Sequence, residues 1–243
     1  MERKKYIFII LISVLTFGSF AQSNPLIYQA YIRGDMARWK IITDSIEKTA
    51  RTNPEKLELV NCQYGYIAWC IDREKKKEAT TYLKKSQELI RQLEEKKYKP
   101  AIINAYKAAF IGFEIGISTY KAPFIGPQSI SYAKNSVSMD AQNAFGYTQL
   151  GNIAFYTPKT FGGNKTEAMQ YYLKALKITE RNPENIKHNW NYLNLLVTII
   201  EAYIELGDYD TAAKYCIKTL KAEPDFDWVK NQLYPQVKKK IKP

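Results

Sequence analysis

Residues 202–213 read Ala202-Tyr203-Ile204-Glu205-Leu206-Gly207-Asp208-Tyr209-Asp210-Thr211-Ala212-Ala213, and the stretch runs on to Leu220 and Pro224. Tyr203 and Leu206 close a helix. Gly207-Asp208 makes a tight turn, because Gly takes a left-handed cap conformation without steric cost. Ala212 lies where a larger side chain would push the second helix away from the first. Pro224 ends that second helix, since it cannot continue one. The stretch encodes two antiparallel helices, and such a unit buries its apolar face only against neighbouring units.

The same rhythm recurs toward the N-terminus. Gly34-Asp35 stands between a short apolar helix and a second helix that carries Trp39, Ile42 and Ile46 on one stripe. Helix pairs are predicted near 25–53, 55–97, 100–140, 141–181 and 190–223, with a terminal helix over 225–240. In the second pair, Gly65 lies mid-helix, where it costs about 1 kcal/mol against Ala; close approach of a neighbouring helix is the expected reason. In the third, Ala105, Ala108, Ala109, Gly112 and Gly116 form a small-residue run read as tight packing, and 121–127 reads as a loop. Asp140 is placed as the cap of the next helix. The fourth pair has Ala168 in a small position and a wide turn, Thr157 to Lys165. There Gly162-Gly163 allow unusual backbone angles, and Phe161 is expected to be buried between units four and five. The turn lacks a Gly-Lys-Ser/Thr ending and a preceding strand, so a phosphate-binding loop is the weaker reading. Trp190 opens the fifth pair, and Phe226, Trp228 and Leu233 of the terminal helix cover its outer face.

The pattern around Tyr203, Gly207, Ala212 and Pro224 resembles the tetratricopeptide repeat, whose unit is a helix, a tight turn and a second helix. The resemblance implies an all-α solenoid of about five helix pairs with a C-terminal capping helix. A wider resemblance, to exported repeat proteins of Bacteroidetes-type bacteria, rests on several stretches. These are Tyr31-Ile32-Arg33-Gly34-Asp35-Met36 with Trp39, Tyr64-Gly65-Tyr66, Tyr156-Thr157-Pro158 through Phe161-Gly162-Gly163, Asn189-Trp190, and Pro224-Asp225-Phe226-Asp227-Trp228-Val229-Lys230. It implies fold and address and adds no chemistry.

Residues 1–21 read as a signal peptide: Arg3, Lys4 and Lys5, an apolar run, then Ser19-Phe20-Ala21 at the cleavage point. The remaining 22–243 are expected to form one domain, in the periplasm or beyond, with no membrane span after the signal is removed. The odd set Cys62, Cys70 and Cys216 gives no disulfide framework, and all three read as buried apolar residues. A net charge of +12 is read as Lys coating exposed helix faces, with no nucleic-acid partner. His188 is the only histidine and lies in a linker with no nucleophile turn beside it. The expectation is therefore a non-catalytic chain without cofactor or metal, holding a protein or peptide of the envelope on its concave face. A small-molecule or glycan-binding protein is the alternative, and an enzyme with a groove site near Phe161 ranks behind both.

Overall fold

The computed structural model describes residues 24–241. Among these the chain forms eleven α-helices and no strand: α1 Pro25–Ile32, α2 Met36–Thr49, α3 Asn53–Asp72, α4 Lys76–Glu95, α5 Pro100–Ile117, α6 Ala122–Met139, α7 Ala144–Tyr156, α8 Lys165–Thr179, α9 Trp190–Glu205, α10 Tyr209–Ala222 and α11 Tyr234–Lys238. The first ten pack as consecutive antiparallel pairs, each pair lies on the next, and α11 rests on α10. The expected signal peptide lies outside the described residues.

Local chemistry fixes the turns. Gly34 and Gly207 both have positive φ, at 65° and 76°. Asp35 then accepts the Arg38 N–H at 2.9 Å, and Asp208 accepts that of Thr211 at 3.0 Å. Each cap contributes about 1 kcal/mol. Thr52 and Glu55 close a reciprocal capping box at the start of α3. Between the helices of a pair sit small residues: Ala79, Ala168 and Ala212 are fully buried. In α7 a Cβ on Gly151 would overlap the Tyr172 ring of α8.

Four local expectations are corrected. The third pair has no long loop: after a single 3-10 turn over Thr119–Lys121, α6 begins at Ala122. Pro123 sits in its first turn, where a missing N–H costs nothing, and the helix runs on through Pro127. Asn143, not Asp140, caps α7, by accepting the Gly146 N–H at 3.2 Å. Gly112 and Gly116 are exposed, and only the alanines of that run are buried. The segment 225–240 is not a plain α-helix: helical backbone runs unbroken over 227–238 with a π turn inside it. Pro235 has no N–H to give, and the chain widens into a π turn over Val229–Leu233 before α11.

The array closes on itself. The short α1 packs on α9. Tyr28 donates its hydroxyl hydrogen to Glu223 at 2.5 Å, and Tyr31 donates to Asn194 at 3.1 Å. The rings of Trp39 and Trp190 meet edge to face with centroids 5.0 Å apart, and Tyr31 lies 5.2 Å from Phe226. Gly65 makes room for this seam: a Cβ there would stand 2.7 Å from the Trp39 ring and 2.9 Å from that of Trp190. Trp39 donates its indole N–H to the Cys62 carbonyl at 2.9 Å, whereas that of Trp190 is buried with no acceptor among the described residues. Leaving it so costs about 1–3 kcal/mol, offset by the area two large rings bury. Tyr64 fills the middle, stacked on Phe113 at 5.2 Å and edge-on to Phe145 at 5.3 Å. Along this seam the inner face is lined by the protein's own aromatic side chains.

Candidate functional site

The array has two rims, one at each end of its helix pairs. The turns inside the pairs all lie on one of them. In the fourth pair, Pro158 opens a 3-10 turn over Lys159–Phe161, and Gly162 follows at φ 92°. Gly163 donates to the Pro158 carbonyl at 3.2 Å, and Asn164 donates to that of Ala154 at 2.9 Å. A Cβ on Gly163 would overlap the Thr157 carbonyl oxygen. Asn164 then caps α8 by accepting from Thr166 and Glu167 at 3.0 and 3.1 Å. The backbone and these short side chains hold the turn without help from Phe161.

Phe161 is accordingly 79% exposed, which overturns its expected burial between units four and five. Tyr156, at the end of α7, is 71% exposed. In the preceding pair Tyr120 is 75% and Phe124 81% exposed, one on each side of the α5–α6 turn. The two pairs are in contact through α5, α6 and α7, so the four rings stand on consecutive turns of the same rim. Lys121 pairs with Glu114 at 3.5 Å and Lys165 with Glu205 at 2.5 Å, while Lys159 is exposed among the rings.

Behind this rim, α9 carries Glu201. Burial, then the charges of Asp72 and Glu205, push its carboxyl up to about 7. Glu58 on α3 is likewise pushed up to about 7 by burial, opposed by hydrogen bonds from the Asn24 backbone, Asn61 and Cys62. The opposite rim holds a pocket of about 110 Å³ between the first halves of α3, α5, α7 and α9 and the linker before α9, lined by Asn and aromatic residues.

Most residues singled out in the sequence serve the scaffold. Gly34 and Gly207 are turns, Trp39, Gly65 and Trp190 form the seam, and Ala168 and Ala212 are packing positions. Gly162 and Gly163 shape the wide turn. Tyr203 stacks on Tyr215 at 5.5 Å, Pro224 lies exposed after α10, and Trp228 is half-buried against the core. Cys62, Cys70 and Cys216 are buried and unbridged, and burial pushes all three thiols up, away from reactivity. His188 is exposed, with its ring edge-on to Tyr28 at 5.4 Å. Among the described residues no group of three His, Cys, Asp or Glu gathers to hold a metal ion, and no helix is long and apolar enough to cross a membrane. Sequence reasoning missed Tyr120, Phe124 and Tyr156; their signal is their place at the helix ends that flank the two widest intra-pair turns.

A family model described as the tetratricopeptide repeat matches residues 161–182 and 201–226, which span α8 and the α9–α10 turn with α10. Two segments of the chain are thus similar to the tetratricopeptide repeat. The matched segments are the parts of units four and five in which Ala168 and Ala212 are packed between helices. A search of curated protein sequences gives no match. Among solved structures, the HusA haemophore from Porphyromonas gingivalis superposes with a TM-score of 0.51 at 14% identity, over 77% of this chain and 96% of that one. At that identity the likeness concerns the fold. Nearly all of the haemophore's chain and about three quarters of this one share the fold.

Proposed function

We propose that this chain is a non-catalytic binding protein of the bacterial envelope that grips a protein partner by its turn rim, not by its concave face. Tetratricopeptide arrays suggest protein partners, and here part of the inner face is taken up by the seam of Tyr31, Trp39 and Trp190. The observation that carries the reading is the exposure of Tyr120, Phe124, Tyr156 and Phe161 on two neighbouring turns. Large rings left in water on adjacent loops are the composition of an interface centre, where aromatic residues dominate binding energy. The chain's +12 charge and the exposed Lys159 suit a partner whose apolar contact is bordered by carboxylates. The envelope address rests on residues 1–21. A photo-crosslinker placed at Phe124 or Phe161 should trap one partner from native envelopes. One placed at Lys221 on α10 should not, and Phe124→Ser with Phe161→Ser should abolish capture without lowering the melting temperature. Equal capture from all positions refutes the reading.

A flat apolar ligand is the second reading, prompted by the haemophore among the structural neighbours. The same rings offer it a face, and Tyr120 and Tyr156 are the oxygen donors within the patch. Titration with haemin decides: a saturable absorbance shift lost in Tyr120→Phe with Tyr156→Phe supports the ligand, and its absence leaves the protein partner.

A further inference from the structure

The pocket on the opposite rim is independent of the aromatic turns. Its walls are rings and amides: Tyr106 and Phe145, with centroids 4.7 Å apart, and around them Asn61, Gln142, Asn185 and Asn194. No Asp, Glu, Lys, Arg or His lines it. Three of these amides have their oxygens engaged already. Asn61 accepts from Tyr106 at 3.2 Å, and Asn194 accepts from Tyr31 at 3.1 Å. Gln142 accepts from Arg181. The NH2 groups of Asn194 and Gln142 donate to no other side chain or carbonyl among the described residues. The Asn185 side-chain oxygen is the reverse case: it is buried and has no donor among the described residues. The site thus presents spare donors and one unmet acceptor beside the half-buried Phe145 ring, inside a volume of about 110 Å³.

We propose that this pocket binds the terminal ring of a neutral glycan. A buried acceptor left unmet costs about 1–3 kcal/mol, which a ligand hydroxyl recovers by donating to Asn185. A hydroxyl is both donor and acceptor, so neighbouring hydroxyls of one ring serve Asn185 and the amide nitrogens together. A charged group has no counter-ion here and would be desolvated without compensation. The C–H face of a sugar ring matches the half-buried ring of Phe145, whose π-cloud is the negative side of the aromatic quadrupole. The volume is below the roughly 150 Å³ of a cavity that encloses benzene. The ring therefore enters in part, with the rest of the glycan in solvent, which selects chain ends.

The test is calorimetric titration of the full mature chain with methyl glucoside, methyl galactoside and N-acetylglucosamine, against glucuronic acid and acetyl-glutamine amide. At least one neutral sugar should bind, with glucuronic acid about tenfold weaker or worse. Asn194→Asp keeps the acceptor for Tyr31, removes the NH2 donor and adds charge; it should weaken the sugar about tenfold, the loss of one good hydrogen bond. Gln142→Ala, at an exposed position, should weaken it without changing the melting temperature. If Asn194→Asp melts early, Gln142→Ala decides. The proposal is overturned if no neutral sugar binds, if both variants bind as the parent does, or if acetyl-glutamine amide binds tighter than every sugar, which would give the pocket to a peptide side chain.

Discussion

The turn inside the fifth pair and the turn inside the fourth sit on the same rim and reverse the chain between the same two kinds of helix. In the fifth, Gly207 supplies the left-handed angle and Asp208 the cap, and Leu206 is left part-exposed beside them. In the fourth, Gly162 supplies the angle, Gly163 the clearance and Asn164 the cap, and Phe161 and Tyr156 remain unused by the fold. Both turns are closed by backbone bonds and a side-chain cap, without the Phe161 ring. Large apolar side chains that a scaffold does not bury are the ones free to meet something else.

The comparison breaks first at Gly163. Gly163→Ala drives a methyl into the Thr157 carbonyl, and thermal unfolding should show a loss of about 3 kcal/mol, the upper end of overpacking costs. A stable variant would mean that the wide turn is slack rather than fitted. Next comes the acid behind the rim. Glu201 has its carboxyl pushed up to about 7 from 4.5, so between those values the folded chain holds more protons than the unfolded one. Stability from this group is complete below about 4.5 and falls as pH rises to about 7, by about 1–3 kcal/mol. Glu58 adds a drop of the same sign. Glu201→Gln should remove roughly half of the decline in melting temperature between pH 5 and pH 8 (two independent acids contribute additively), and an unchanged pH profile would place this carboxyl in water.

Gly207→Ala should cost about 1–2 kcal/mol through its left-handed angle, read by denaturant midpoint, and Gly162→Ala the same if the two turns are equivalent. The smallest effect separates scaffold from site. Phe161→Ala and Phe124→Ala should each shift stability by no more than about 0.5 kcal/mol, as exposed positions do. A loss of about 3–5 kcal/mol would instead restore Phe161 to the interior.

The pairs were legible because their signals are local. Gly34-Asp35 and Gly207-Asp208 announce turns through backbone angles and caps that only a few residues supply. The start of α6 was hidden because Pro123 and Pro127 argue for a loop unless the first lies in a first turn, and that depends on where α5 stops. Phe161 was misplaced because a Phe beside two glycines looks the same in sequence whether its ring points in or out. The direction is decided by the Gly163–Pro158 and Asn164–Ala154 bonds, which no side-chain pattern encodes. The amide pocket was invisible for a further reason: Asn61, Gln142, Asn185 and Asn194 lie on two helices and two connecting segments and meet only when the array curves.

The bond from Tyr28 to Glu223 joins residues 195 positions apart. Repeat arrays ordinarily grow unit by unit, each stabilised by its neighbour, and unfold from their ends. Here the first unit cannot bury Tyr28, Tyr31 or Trp39 until the last has been made, so a half-synthesised chain exposes the residues of its own seam. Such long-range closure slows folding relative to an open array and couples the units into one transition. The mature chain should lose all its helices together, with a single unfolding phase, and a fragment ending before α9 should bind molten-state dyes instead of forming a shorter array.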